Sequence, residues 1–231
     1  MRVLLGAGLG VLAGAFLPAL LGRLPDRRPS AEEPVHTPYR ELADGRRVRL
    51  LLATTSAAVC SLLALARGLS PDLPAYLAVG VLGVLMAYVD VREHRLPDLL
   101  TGPALLAGGV LLGVAALATG SWSAYARGWL AAAALFAGFL GLATLRPADL
   151  GLGDVKLAGV LGLMLGWLGW STVVVGAFLG FVFGGLTGLV LVAVRRAGRR
   201  TAIPFGPFLL LGALAAVAWG DLIVAAYLGR G

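Results

Sequence analysis

Long apolar runs separated by short polar connections account for most of the chain. A membrane-spanning helix needs about 20 mostly apolar residues, because it rises about 1.5 Å per residue across about 30 Å of hydrocarbon. The runs that reach or approach this length are residues 3–22, 49–67, 73–90, 99–119, 125–145, 154–169, 171–194 and 203–228. This pattern predicts an all-α polytopic integral membrane protein with about eight transmembrane helices.

The sixth and seventh predicted helices are separated within one apolar stretch. Residues 155–194 form a run of 40 residues, which is about twice the length that one span requires. The sequence "GWLGWST" (166–172) supplies glycines, tryptophans suited to a membrane interface and a serine that can cap a helix. We therefore place the break between Trp167 and Ser171.

The composition agrees with a membrane protein. Hydrophobic residues make up 59% of the chain and charged residues 13%, whereas soluble domains are typically about 45–50% apolar and about 25% charged. The net charge of +7 would suggest nucleic-acid binding in a soluble protein. Because the basic residues lie between apolar runs, they indicate membrane lipid rather than nucleic acid as the partner.

The distribution of basic residues predicts the orientation. With the N-terminus outside, the cytoplasmic connections hold 15 of the 19 Lys and Arg residues, as expected for cytoplasmic loops of a protein in the inner (plasma) membrane. Arg2 precedes the first apolar run, whereas Arg23, Arg27 and Arg28 follow it. This balance favours a first membrane helix over a cleaved signal peptide. Segment 23–49 is then a short cytoplasmic loop, containing one helical turn.

Two sets of glycines at four-residue spacing predict close helix packing. The glycines are Gly6, Gly10 and Gly14 in the first span and Gly176, Gly180, Gly184 and Gly188 in the seventh. Small residues at this spacing let helix backbones approach. We expect packing within the chain, with a homodimer face as the alternative.

Two acidic residues lie at predicted span ends. Asp90 ends the third span and Asp154 begins the sixth. Two spans separate them, so both carboxylates are expected at the same, cytoplasmic, membrane boundary. One alternative is a pair of unrelated interfacial acids, with Asp154 at a helix N-terminus and Asp90 paired with Arg92 or Arg95.

Two carboxylates that meet in space can perform acid–base chemistry. Like charges resist both being ionised, so the groups titrate as a coupled pair. The charged member can take a proton from water while the neutral member hydrogen-bonds a scissile carbonyl, as in aspartic proteases. This chemistry needs no metal and no cofactor. The residues do not indicate which aspartate has which role.

The local sequence around the two acids favours a functional site over two unrelated interfacial acids. Gly151 and Gly153 flank the approach to Asp154 and allow backbone or substrate to come close, and Pro97 restricts the loop after Asp90. Cys60, the single cysteine, lies in an apolar run and is expected to be a buried packing thiol. His36 and His94 are too far apart in sequence to suggest a metal site.

Four segments resemble one protein family. "GLGDVKL" (151–157) resembles the Gly-x-Gly-Asp-x-Lys-Leu signature of type IV prepilin peptidases, which are membrane aspartic proteases of the GxGD class, and "DVREHRLPDLLT" (90–101) resembles their other aspartate motif. "IPFGPFLLLGA" (203–213) is similar to their last-helix motif, and "GVLAGAFLPALLGRLP" (10–25) is similar to their first helix.

The resemblance implies a site and a substrate class. It makes Asp90 and Asp154 the catalytic pair, and it implies a peptidase core over 73–228 within a single membrane domain, 1–231. The supporting residues implied are Gly151, Gly153, Lys156, Pro97 and Thr101. The substrates would be pilin-like or pseudopilin precursors, cut between a basic leader and an apolar helix at the cytoplasmic face.

Two polar residues near the acids leave their roles open at this stage. Lys156 could pair with an acid, meet lipid phosphate or tune the two aspartates. Asp98 is expected to begin the fourth helix as an acidic residue rather than to act in catalysis.

The sequence also departs from the family pattern. Bifunctional members carry two Cys-x-x-Cys pairs in the first cytoplasmic loop, whereas segment 23–49 contains no cysteine, and Pro18 replaces an Asn of the first helix. These differences argue against N-methyltransferase activity and leave the protease motifs untouched.

Two other functions remain alternatives. A transporter could use the two aspartates as a proton relay, but its acids would lie near the bilayer midplane. A non-catalytic assembly protein would be favoured by loss of one motif aspartate, and both are present.

Overall fold

The structure is a computed structural model that describes residues 1–25, 37–94, 96–145, 150–194 and 204–227. These residues form helices and connections, with no strand among them. The helices are α1 (Arg2–Leu21), α2 (Tyr39–Ala43), α3 (Arg46–Arg67), α4 (Leu73–Glu93), α5 (Asp98–Thr119), α6 (Trp122–Leu145), α7 (Leu152–Leu168), α8 (Trp170–Ala193) and α9 (Gly206–Tyr227). The all-α prediction is confirmed, and each predicted span corresponds to one long helix.

Six helices are long and apolar enough to cross a membrane, namely α1, α3, α4, α5, α6 and α8. Helix α7 has 17 residues and rises only about 26 Å at about 1.5 Å per residue. Helix α9 has 22 residues. The chain is therefore an integral membrane protein, and α7 is the shortest of the eight helices that correspond to the predicted spans.

The break predicted in the long apolar stretch is confirmed. Helix α7 ends at Leu168 and α8 begins at Trp170, so Gly169 alone separates them. The Gly169 N–H donates to Leu165 O at 3.1 Å, and the Val173 N–H donates to Gly169 O at 3.2 Å. The same residue therefore closes one helix and opens the next.

The glycines of α1 pack against α3. A Cβ atom on Gly10 would lie 2.5 Å from Ser56 O, and one on Gly6 would lie 2.7 Å from Cys60 O. Contacts this short leave no room for a side chain, so the prediction of packing within the chain is confirmed for this set. Cys60 is buried, as predicted.

The glycines of α8 are used in a similar way against α9. A Cβ on Gly180 would lie 3.0 Å from Leu209 Cδ2, and one on Gly212 of α9 would lie 2.4 Å from Gly180 N. At one end of this pair the Phe181 and Phe205 rings pack with their centroids 5.3 Å apart. Helix α9 is thus held closely along α8, and its first residues have a defined position.

Helix α7 occupies the centre of the bundle. Of its 17 residues, 13 are buried, which agrees with a helix that is apolar on every face. Gly162 and Gly166 pack against Ala131 of α6. Arg127 of α6 donates to the carbonyl oxygens of Gly166 and Trp167 at 2.7 Å each and satisfies groups that a helix end leaves unpaired. The neighbouring helices therefore fix both the position and the end of α7.

A polar cluster joins the start of α4 to the end of α7. The Asp72 carboxylate forms an ion pair with Arg67 at 2.6 Å and accepts a hydrogen bond from Trp167 Nε1 at 2.8 Å. Because the beginning of one helix meets the end of the other, α4 and α7 run antiparallel. Their opposite termini, which carry Asp90 and Asp154, therefore share the other end of the bundle.

Candidate active site

Asp90 lies in the last turn of α4 and is only 4% exposed. Its Oδ2 accepts a hydrogen bond of 3.0 Å from the backbone N–H of Gly206, the first residue of α9. Helix α4 closes at His94, which has a left-handed backbone (φ 52°) and donates its N–H to Asp90 O at 2.7 Å. Helices often end with a residue in this conformation. Asp90 is thus held from both α4 and α9.

Asp154 lies in the first turn of α7, after Gly151 at the N-cap. Its N–H donates to Gly151 O at 3.1 Å, and its side chain is buried at 9% exposure. The Oδ1 atom is buried and has no hydrogen-bond partner among the described residues. Asp154 therefore presents one carboxylate oxygen that the surrounding protein leaves unsatisfied.

Leu96 connects the surroundings of the two acids. A Cβ on Gly206 would lie 2.8 Å from Asp90 Oδ2 and 3.1 Å from Leu96 Cδ1. On the other side, a Cβ on Gly153 would lie 2.7 Å from Leu96 Cβ. The Leu96 side chain is therefore enclosed between α7 and α9, and Asp90 and Asp154 are close enough to interact electrostatically.

The two glycines before Asp154 differ in how much room they have. A Cβ on Gly151 would lie 3.8 Å from Asp154 Oδ2, an ordinary contact, whereas Gly153 has no space for one. The structure thus gives Gly153 a packing role against Leu96. The expectation that both glycines clear a path for substrate stays a prediction.

The loop after Asp90 leads directly into α5. Pro97 is the N-cap of this helix, with φ −66°, and Asp98 is its first residue, as predicted. Thr101 is buried, and its Oγ1 lies 3.4 Å from Asp98 O. Pro97 and Thr101 therefore shape the start of α5, beside Leu96.

Lys156 pairs with an acid, which is one of the three roles left open by the sequence. Its Nζ lies 2.5 Å from Asp98 Oδ1, and the two side chains are 40% and 72% exposed. The pair links the first turns of α7 and α5 at the surface. The partner of Lys156 is thus Asp98 and not one of the two buried acids.

The alternative pairing of Asp90 with Arg92 is absent, since the described residues include no ion pair between them; Arg95 lies outside the described residues. Sequence reasoning missed the Asp90–Gly206 hydrogen bond and the position of Leu96. Leu96 lies inside the quoted motif at 90–101, and Gly206 lies inside the one at 203–213. Across the described ranges, no group of three or more His, Cys, Asp or Glu side chains could hold a metal ion.

The fold and this site define a class: a helical membrane protein that buries two carboxylates at one end of its bundle. Residues 76–189, which include both acids, match the type IV leader peptidase family. The chain belongs to this family.

Curated relatives carry the name prepilin leader peptidase/N-methyltransferase. The protein from Aeromonas hydrophila is 36% identical over 185 residues, covering 78% of this chain and 60% of the relative. The Legionella pneumophila protein is 34% identical over 163 residues, covering 67% and 53%, and the Stutzerimonas stutzeri protein is 34% identical over 146 residues, covering 62% and 48%. The chain thus spans about half the length of these relatives. No solved structure matches it significantly.

Proposed function

We propose that the chain is a prepilin-type leader peptidase, an aspartic endopeptidase that removes the basic leader from pilin-like or pseudopilin precursors. The observation that carries this proposal is the burial of Asp90 and Asp154 together at one end of the bundle. The family match over 76–189 supports it, as do relatives named for leader peptidase activity.

The proposed reaction is hydrolysis of one peptide bond by a carboxylate dyad. The charged carboxylate takes a proton from water, and the water oxygen attacks the scissile carbonyl carbon. The protonated carboxyl donates its proton to the carbonyl oxygen. Burial of the pair favours this arrangement, because two neighbouring carboxylates in a poorly solvated site resist both being ionised.

The site is proposed to face the cytoplasm. The predicted spans put 15 of the 19 Lys and Arg residues on the same side of the membrane as the two acids, which favours the cytoplasmic side. A precursor with a basic leader and an apolar helix would meet this end at the membrane boundary. The acids lie at helix ends rather than at mid-helix, which is unfavourable for the alternative of a proton-relay transporter.

We propose peptidase activity without methyl transfer. The relatives are named for both activities, but segment 23–49 of this chain has no cysteine. The Cys-x-x-Cys pairs expected of the bifunctional members are therefore missing from its first loop.

Substitution of either aspartate tests the proposal. Asp90→Asn and Asp154→Asn should each lower leader removal by at least about 10²-fold, because an amide cannot transfer the proton. Leader loss is measured by mass spectrometry of candidate precursors co-expressed with each variant. When the purified wild-type enzyme processes a precursor in the presence of S-adenosylmethionine, mass spectra should show an unmethylated mature N-terminus.

Asp44→Asn is the matched control. Asp44 is exposed, and its Oδ1 accepts from the Gly45 N–H, a bond that the amide oxygen of Asn can keep. This variant should process the precursor like the wild type. Normal processing by a well-inserted Asp90→Asn or Asp154→Asn protein would remove that residue from the catalytic role.

A further inference from the structure

The two buried carboxylates have unequal surroundings. We infer that the start of α9 positions the dyad, with the Gly206 N–H holding Asp90 as the charged carboxylate, so that Asp90 activates water and Asp154 is the proton donor. This inference rests on the proposed peptidase function and assigns the two roles that the sequence left open.

The surroundings of Asp90 favour the charged form. Gly206 is the first residue of α9, so its N–H is one of the donors that a helix start leaves without a partner in the helix. That N–H donates to Asp90 Oδ2 at 3.0 Å. A hydrogen bond from a backbone N–H and the positive end of a helix both stabilise a carboxylate.

The surroundings of Asp154 favour the protonated form. Its Oδ1 is buried without a described hydrogen-bond partner, and a buried anion with an unmatched oxygen is unfavourable. Asp154 also lies at a helix start, in the first turn of α7, so the helix dipole alone does not distinguish the two acids. The Gly151 backbone also favours the charged form of Asp154, so a backbone donor alone does not distinguish them either. The two acids differ in that Asp154 Oδ1 is buried without a described hydrogen-bond partner, whereas Asp90 Oδ2 accepts the 3.0 Å bond from Gly206.

These roles give a balanced reaction. The Asp90 carboxylate takes a proton from water, the resulting oxygen bonds to the carbonyl carbon, and Asp154 gives its proton to the carbonyl oxygen. Asp90 then passes its proton to the leaving nitrogen as the C–N bond breaks. Asp154 takes a proton back from one hydroxyl of the intermediate, which leaves a new carboxyl terminus and restores both acids to their starting states.

The position of this donor requires glycine. A Cβ at residue 206 would lie 2.8 Å from Asp90 Oδ2, closer than carbon and oxygen can pack. Any side chain there must displace the carboxylate or the start of α9. Gly206 is therefore a positioning residue that acts through Asp90.

Gly206→Ala tests the positioning role. Because a small misplacement of a reacting group is costly, kcat should fall by about 10²-fold, with little change in KM. The acidic limb of the kcat/KM profile should move to higher pH, because the charged form of Asp90 loses its donor. Two other titratable groups, Asp154 and His94, interact with Asp90. Both are unchanged in this variant. Gly185→Ala, where nothing lies within 4 Å of the new Cβ, should match the wild type.

Leu96→Ala separates the effect on Asp90 from general crowding. The double variant Leu96→Ala/Gly206→Ala removes the 3.1 Å contact with Leu96 but keeps the conflict with Asp90. It should stay about 10²-fold below Leu96→Ala alone. Recovery of kcat in the double variant, or an unchanged pH profile in Gly206→Ala, would overturn the positioning role.

Infrared difference spectra test the assignment even if a Gly206 variant does not fold. The C=O band of a protonated carboxyl near neutral pH should be lost in Asp154→Asn and kept in Asp90→Asn. The opposite result overturns the assignment, while leader removal by the wild type would still support the peptidase. Failure of the wild type to remove any leader would instead count against the proposed function.

Discussion

Gly153 and Gly206 lie on two sides of the Leu96 side chain. A Cβ on Gly153 would lie 2.7 Å from Leu96 Cβ, and one on Gly206 would lie 3.1 Å from Leu96 Cδ1. Leu96 thus sets the spacing between the start of α7 and the start of α9. Since Asp154 follows Gly153 directly and Asp90 accepts from Gly206, this spacing also sets how the two acids face each other.

Gly153→Ala should disturb the site through packing alone. The new Cβ would lie 2.7 Å from Leu96 Cβ and 3.2 Å from Leu96 O, and overpacking of this kind typically costs about 1–3 kcal/mol. We expect a lower thermal midpoint in detergent and slower leader removal. Gly102→Ala, with no atom within 4 Å of its Cβ, serves as the control. A Gly153→Ala protein as stable as that control would contradict this account of the glycine.

At the scale of single residues, the sequence predicted which acids come together but not what holds them. Asp90 and Asp154 could be paired because counting spans places both at one boundary. The donor to Asp90 comes from Gly206, 116 positions further along the chain, and no periodicity indicates a contact at that separation. The partner of Lys156 was likewise one of several options, because Asp98 meets it only once α5 and α7 pack.

At the scale of helices, α1 and α3 form a closely packed pair through small residues. The Gly10 position faces Ser56 and Ala57, whereas Gly8 on the same helix has nothing within 4 Å. In a bilayer, where apolar side chains gain little by leaving lipid, such close backbone packing contributes much of the association.

Gly10→Ala and Gly8→Ala form a matched pair of substitutions. The Gly10 variant would place a Cβ 2.6 Å from Ala57 Cα and should lower the free energy of unfolding by about 1–3 kcal/mol. The Gly8 variant should be neutral or slightly stabilising, because Ala is a better helix former than Gly by about 1 kcal/mol. Thermal unfolding in one detergent compares the two. Equal midpoints would mean that the α1–α3 contact contributes little.

Helix boundaries were predicted more accurately than the surroundings of the helices. The hydropathy pattern located eight apolar helices and the break at Gly169. It treated α7 as an ordinary span, although α7 is short and nearly enclosed by protein. Lipid tails and a protein interior select the same apolar side chains, so composition alone does not separate a lipid-facing helix from a central one. The turn expected in segment 23–49 is present as α2.

At the scale of the whole molecule, two polar clusters lie at opposite ends of α7. One contains Arg67, Asp72 and the Trp167 indole, and the other contains the two acids of the candidate site. The first cluster ties the beginning of α4 to the end of α7, so the register between these helices is fixed far from the acids. The candidate site therefore depends on contacts along the full length of the bundle.

The predicted orientation follows from the same division into two ends. By the span prediction, 15 of the 19 Lys and Arg residues lie on the side of the membrane that holds Asp90 and Asp154. The positive-inside tendency then predicts that this end faces the cytoplasm. Glu41 on α2 lies at this end and Leu69, between α3 and α4, lies at the other, and both are exposed.

Cysteine labelling can measure this orientation, because Cys60 is the single cysteine and is buried. In a Cys60→Ser background, Leu69→Cys should react with a membrane-impermeant maleimide in intact cells. Glu41→Cys should react only after the membrane is permeabilised. The reverse pattern would place the two acids outside, where a leader that stays in the cytoplasm could not reach them. The labelling pattern therefore tests the topology and, with it, whether the candidate site can meet a basic leader on the side where such a leader is made.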